Sequence, residues 1–209
     1  MRIRKKKWAA AELADNPNIL KSQQELTAYV AERRPIHLEV GCGKGRFICE
    51  AARRNPDIHY VAVERDPTIM AAAARLSHDI EGSLAFFHGD VRELASLFAS
   101  GDIARLYINF CDPWPRRKKW AKRRLTHVDF LAIYESLAIP EIHFKTDNRI
   151  LFESSIEYFS IRKWLMQNVA LDLHAIDFPD NIVTEYEDKF SKHGPIYRLE
   201  AINPNLHKL

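Results

Sequence analysis

The sequence predicts one α/β domain of the doubly wound kind, with a mostly parallel sheet and a late antiparallel strand. Three observations carry this. Short apolar runs alternate with segments of helical spacing along most of the 209 residues, the pattern that builds a parallel sheet covered on both faces. The first such run, Ile36 to Gly41, passes through a glycine turn directly into a helical segment, as at the start of a doubly wound unit. Polar or acidic residues also recur at the ends of successive runs, where open α/β sheets bind their ligands.

Taken in order, residues 1–20 read as a basic arm carrying Trp8 and the loop-forming cluster Asp15-Asn16-Pro17-Asn18. An arm of this composition is expected to settle on a partner. Ser22 to Arg33 is a predicted helix, with Ser22 as N-cap, Glu25 completing a capping box and Pro35 ending it. After the Ile36 to Gly41 strand and its turn, Arg46 to Asn55 places Phe47, Ile48 and Ala51 on one helical side. His59 to Val63 is the second strand, Thr68 to Ile80 an alanine-rich helix, and Leu84 to His88 the third strand. Val91 to Phe98 forms a short helix and Ala104 to Ile108 the fourth strand. Thr126 to Leu137 is helical, Glu141 to Lys145 a fifth strand, and Arg149 to Asn168 a long helix carrying Leu151, Ile156, Phe159 and Trp164. Two late strands, around Leu171 to Ile176 and Ile196 to Ile202, flank a loop containing Thr184-Glu185-Tyr186-Glu187.

Composition narrows the function classes. Apolar content is 46% and charged content 28%, ordinary for a globular domain. No apolar run approaches the roughly 20 residues that span a bilayer, and no apolar core follows the charged start as in a signal peptide. Three cysteines, Cys42, Cys49 and Cys111, form no metal-like cluster with the histidines, so no metal and a cytoplasmic setting are expected. The net charge of +3 hides an asymmetry. Arg2 to Lys7 holds five basic residues and Arg116 to Arg124 seven, with no acid in either block. Without those twelve, 19 basic residues face 28 acidic ones. Positive charge confined to two patches on an acidic body suits a phosphate-bearing partner held at one place.

Three stretches carry the chemistry. Glu39-Val40-Gly41-Cys42-Gly43-Lys44-Gly45 spaces its glycines as GxGxG, unlike the GxGxxG of nicotinamide-binding domains. A carboxylate at Glu39 would repel a pyrophosphate and attract a cation, and S-adenosylmethionine carries a sulfonium, an ammonium and no phosphate. Glu64 ends the second strand, placed to accept from ribose hydroxyls. Asp90 follows the third and is placed either to accept from an adenine amino group or to cap the next helix. After the fourth strand, Asn109-Phe110-Cys111-Asp112-Pro113-Trp114-Pro115 breaks the chain with two prolines. A carboxylate and a flat indole thus stand immediately before the densest positive run.

The residues Leu38 to Gly45, Asn109 to Pro115, Lys122 to Thr126, Phe144-Lys145-Thr146-Asp147-Asn148 and Thr184 to Glu187 together resemble the bacterial tRNA (guanine-N7)-methyltransferase family over nearly the whole chain. The resemblance implies one Rossmann-like, S-adenosylmethionine-dependent methyltransferase domain over residues 21–209. It implies methylation of N7 of a guanosine in the tRNA variable loop, position 46 of tRNA. Its cofactor-site residues are Glu39, Gly41, Gly43, Gly45, Glu64, Arg65, Asp90, Val91, Asn109 and Asp112. Asp112 is expected to be the catalytic carboxylate. Asp147, Thr184, Glu185, Tyr186 and Glu187 are expected at the target guanosine, with Arg116 or Arg117 in the place of a family lysine. Lys118, Lys119, Lys122, Arg123 and Arg124 are expected on the RNA, and the assembly to be a monomer or homodimer.

Two other readings fit parts of the sequence. Enzymes that methylate exocyclic amino groups carry acidic or amide-Pro loops, but with two prolines before the aromatic residue, whereas Trp114 follows one. An RNA-binding module with lost catalysis would be expected to lack Glu39, Glu64 or Asp112, and all three are present. A Cys111 nucleophile has no accompanying second cysteine or glutamate motif.

Overall fold

The computed structural model describes residues 7–33 and 35–206, apart from the side chains of Lys7 and Lys118. The basic block Arg2 to Lys7 therefore lies almost wholly outside the described residues. In chain order the elements are α1 (Lys7–Asp15), β1 (Ile19–Leu20), α2 (Gln23–Arg33), β2 (Ile36–Val40), α3 (Arg46–Arg54), β3 (His59–Glu64), α4 (Pro67–Ala74), β4 (Leu84–His88) and α5 (Leu94–Leu97). Then come β5 (Ile103–Asn109), α6 (Lys118–Ala121), α7 (Val128–Ser136), β6 (Glu141–Thr146), α8 (Arg149–Ile161), β7 (Leu165–Ala170), α9 (Glu185–Phe190) and β8 (Tyr197–Ile202).

The eight strands form one sheet in the order β1-β4-β3-β2-β5-β6-β8-β7. Its pairs are parallel except where β8 runs against both β6 and β7, so the doubly wound sheet with its late antiparallel strand is as predicted. Alternation along each strand sends side chains to opposite layers. Val61 and Val63 of β3 belong to the larger core, which α2, α7 and α8 also supply, while Tyr60 and Ala62 face α3 and α4 in the smaller one. The winding reverses between β2 and β5, and a crevice opens there at the carboxyl ends of the strands.

Three elements differ from the sequence reading. Residues 7–20, assigned to a free arm, are folded: α1 packs on α4 and β1 extends the sheet beside β4. Asn16 and Asn18 are buried, and their side-chain amides donate to the carbonyls of Ala74, Ser77 and Ile80 at 2.8–2.9 Å. The loop-forming cluster is thus the polar seal on the end of α4.

The long helix also ends early, at Ile161. Lys163 takes a left-handed backbone (φ 60°) without glycine, and the Trp164 amide turns back to the Phe159 carbonyl at 2.9 Å. Residues 165–170 then form β7, and the strand expected at Leu171 to Ile176 is instead a 3-10 turn over Leu173–Ala175. Finally, Thr184 to Glu187 is no loop but the first turn of α9. Thr184 caps the Glu187 amide at 2.9 Å, and the Glu187 side chain reaches back in a capping box.

Candidate active site

The glycine turn after β2 forms the rim of a cleft of about 460 Å³ at the switch point. Gly41 and Gly43 have φ of +69° and +57°, and a Cβ on either would point into open space. The turn stays narrow because the Gly45 amide donates to the Cys42 carbonyl at 3.0 Å and the Gly41 amide to Val63 at 2.8 Å.

Glu39 lies at the floor, 2% exposed. Its Oε1 accepts from the Asn109 amide at 2.9 Å, while its buried Oε2 has no partner. Burial pushes this carboxyl up to about 8, against the Asn109 hydrogen bond and the attraction of Lys145, with nearby Glu64 adding repulsion. A buried carboxylate oxygen without a donor is costly, so the floor suits a ligand bringing a cationic N–H group. Phe110, Tyr186 and Phe190 supply the opposite wall, with ring centroids 5.2 and 4.1 Å apart in sequence.

Of the other expected cofactor residues, Glu64 touches this rim, whereas Arg65, Asp90, Val91 and Asp112 are not among the residues that line the cleft. Glu64 is half-buried and spends its two oxygens on the amides of Gly43 (3.2 Å) and Asp66 (2.9 Å), bracing the glycine turn. Arg65 is exposed and Val91 buried. Asp90 caps the turn at Val91–Glu93, and Arg92 donates to both its oxygens, at 3.0 and 2.6 Å. Those bonds hold its carboxyl down at about 2. Capping, one of its two sequence-level roles, is the one seen.

Asp112 is exposed on the loop that leaves β5. Phe110 and Trp114 on that loop have φ of +50° and +26°, positions that cost non-glycine residues of the order of 1–3 kcal/mol each. The Phe110 amide donates to the Lys145 carbonyl at 2.9 Å, and Arg124 pins the Trp114 end of the loop. Arg124 is 1% exposed, and its guanidinium donates to the carbonyls of Pro113 and Trp114 at 2.9 Å. Arg124 is therefore a brace for the Asp112 loop and not an RNA contact, a correction to the expected role. Cys111 beside it is half-buried, and burial pushes its thiol up to about 12, which removes it as a nucleophile.

The expected guanosine residues divide. Asp147 is half-buried, 3.5 Å from the Tyr186 hydroxyl, and Glu185 is exposed, bonded to Lys44 at 2.7 Å. Arg46 and Asp188 make a second exposed pair at 3.7 Å between the glycine turn and α9. Thr184 is consumed as the cap. Glu187 is a second correction: fully buried, it accepts from Lys145 Nζ at 2.7 Å, Asn181 at 2.8 Å and the Thr184 amide at 3.3 Å, with His174 Nε2 at 3.1 Å. Its carboxylate cannot also take a base. Arg116 reaches Glu153 at 3.0 Å, Lys122 lies 3.8 Å from Asp129, and Arg117, Lys119 and Arg123 are exposed. Lys145, given no role by the sequence reading, is the residue that ties α9 to β6. Its one visible signal is a lone cation ending an apolar strand.

A family model described as "Putative methyltransferase" matches residues 33–199. A tRNA (guanine-N(7)-)-methyltransferase of Halalkalibacterium halodurans is 44% identical over 211 residues, covering 96% of this chain and 95% of its own. The chain belongs to the tRNA (guanine-N(7)-)-methyltransferase family. A family member from Geobacillus is 41% identical and covers 100% of this chain and 98% of its own. Among solved structures, the 16S rRNA methyltransferase KamB superposes with a TM-score of 0.63 at 15% identity, covering 88% and 94% of the two chains. That likeness is one of fold. Like its family, the chain is a methyltransferase that uses S-adenosylmethionine, and the partnerless Glu39 oxygen and open glycine rim fit that cation.

The Glu39 carboxyl gives a pH dependence whose sign is fixed. Its ordinary value is 4.5 and its folded value about 8. The protonated form is favoured by folding, so its contribution to stability is complete below about 4.5 and is lost as pH rises to about 8. A cationic ligand binds the deprotonated form. Cofactor affinity should therefore rise from pH 6 to about 8 and level off above, with proton release near pH 7 that vanishes in Glu39→Gln. Titration calorimetry in buffers of different ionisation heat reads this directly. Affinity that is flat from pH 6 to 9 would place the ligand's cation elsewhere.

Proposed function

We propose that the chain transfers the methyl group of S-adenosylmethionine to N7 of a guanosine in the variable loop of tRNA, position 46. The observation that carries this is the placement of Asp112, exposed on a braced loop between the Glu39 cleft and the basic run. The names of the relatives support the substrate.

N7 of guanine has a free lone pair, so no base is needed to remove a proton. S-adenosylmethionine supplies the electrophilic methyl group. As the purine acquires positive charge, the Asp112 carboxylate stabilises it from a fixed position. Pro113 and Trp114 shape the wall beside it. Asp147 and Glu185 are the acceptors for the guanine N1 and N2 hydrogens, Arg116 or Arg117 the donor to O6, and Tyr186 a stacking surface. Glu39 and Asn109 orient the cofactor's cationic end. The free cysteines Cys42, Cys49 and Cys111 suit a reducing cytoplasm.

The test is incubation of undermodified tRNA with labelled S-adenosylmethionine, followed by nucleoside identification. 7-Methylguanosine at position 46 is expected. An N2-methylated guanosine would support the exocyclic amino reading, and no incorporation with any tRNA would overturn the proposal.

The basic run is tested separately. Each phosphate contact contributes about 0.7–0.9 to the slope of log affinity against log salt. Replacing Lys118, Lys119 and Lys122 by alanine should weaken tRNA binding and flatten that slope by about two units. Arg124→Ala should instead disturb the Asp112 loop. Titrations at three salt concentrations decide, and an unchanged slope would remove these lysines from the RNA site.

A further inference from the structure

A stacked pair of indoles joins the Asp112 loop to α6, and the methyl-transfer reading uses only its Trp114 edge, as a wall. The indoles of Trp114 and Trp120 stack with planes 5° apart and centroids at 5.4 Å. The Arg123 guanidinium sits over both, 4.6 Å from the Trp114 ring and 5.0 Å from that of Trp120, and Lys119 Nζ lies 6.0 Å from the Trp120 centroid. Both indoles are half-exposed and Arg123 is exposed. The fold of the loop does not depend on this stack alone, because the buried Arg124 already pins the carbonyls of Pro113 and Trp114.

Two parallel indoles under a planar cation form a stacking surface, and the surrounding field says for what. Besides the buried Arg124, the segment from Arg116 to Arg123 holds six cations in eight residues and no acid. Phosphates are thus attracted on both sides of an aromatic face. Every nucleobase has a π-face, and aromatic side chains and arginine both stack on unpaired bases. We propose that Trp114, Trp120 and Arg123 form a platform for an unpaired RNA base flanking the nucleotide placed beside Asp112. Trp114 is two residues from Asp112, at most about 7 Å along the chain, against a rise of about 3.4 Å per stacked nucleotide. The platform therefore serves a base one or two positions from the target. This rests on the reading that the substrate is RNA.

The test uses Trp120→Ala and Trp120→Phe with three probes: a short oligoadenylate, an abasic ribose-phosphate chain of the same length, and inorganic polyphosphate. Trp120→Ala should bind oligoadenylate about 5- to 150-fold more weakly, with the salt slope unchanged, while Trp120→Phe retains most of the affinity. Abasic chain and polyphosphate should bind wild type and Trp120→Ala equally, since neither offers a base. Quenching of tryptophan fluorescence by oligoadenylate should be reduced in Trp120→Ala. Equal losses on all three probes, or a flattened slope, would mean that Trp120 only shapes the basic segment, and the platform would be overturned. Oligoadenylate affinity unchanged in Trp120→Ala would overturn it too. Failure of the methylation reading shows differently, as no 7-methylguanosine in tRNA with the base-dependent loss intact.

Discussion

Asp112→Ala is expected to lower the single-turnover rate of methyl transfer by about 10²–10³-fold while changing tRNA affinity little. Asp112 is exposed, on a loop pinned by Arg124 at Pro113 and Trp114 and by the Phe110 amide on Lys145, not by Asp112 itself. Removing its carboxylate therefore leaves the loop's anchoring in place. What is lost is an interaction that strengthens only as the purine becomes cationic, so the loss appears in the chemical step. Rapid-quench measurements with enzyme in excess read that step. A rate within about threefold of wild type would show that another group carries the developing charge.

The largest expected stability effect lies at the root of α9. Lys145 and Glu187 are both buried and meet at 2.7 Å. Burial pushes the Glu187 carboxyl up, but Lys145 and the bonds from Asn181 and Thr184 outweigh it and hold the value below the ordinary range. Lys145→Met leaves that charge buried without its partner, and the expected cost is about 3–5 kcal/mol. Because Glu187 also completes the Thr184 capping box, the Tyr186 wall of the cleft should loosen as well. Urea unfolding checks the first effect and hydrogen exchange of the α9 amides the second. The pairing predicts that adding Glu187→Leu to Lys145→Met recovers part of the loss. Simple additivity of the two substitutions would refute it.

What could be read in the sequence was whatever is local. Ser22 and Glu25 predicted a capped start for α2; the Glu25 amide does donate to Ser22 Oγ at 3.2 Å, although the Glu25 carboxylate closes on the Lys21 amide at 2.7 Å and not on Ser22's own. Glu39, the glycine turn, Asn109 and Asp112 gather at one switch point because strand ends in a parallel sheet are adjacent in space whatever their separation in sequence. What was not legible depends on partners far along the chain. Arg124 looks like its six cationic neighbours until it is buried against carbonyls ten and eleven residues back. Glu187 looks like an exposed acid until Lys145, 42 residues earlier, meets it. The turn at Lys163 carries no glycine or proline, so helical periodicity ran on through it into β7. Asn16 and Asn18 have loop-forming composition, and only the carbonyls of Ala74 and Ser77, at the end of α4 and in the turn after it, make them structural.

The attachment of α9 has a consequence for how the enzyme responds to ionic strength. Its root is the buried Lys145–Glu187 pair, but its contact with the glycine turn is made by Lys44–Glu185 and Arg46–Asp188, both exposed. Exposed pairs are worth at most about 1 kcal/mol and are screened by salt, whereas a buried pair is screened far less. Raising salt therefore unfastens the cleft's outer edge without unfolding the helix that closes it. Cofactor exchange should quicken over the same range in which the grip on phosphates weakens. Turnover against salt is then the product of two opposed responses, and the concentration giving fastest turnover marks where product departure stops limiting and RNA capture begins to.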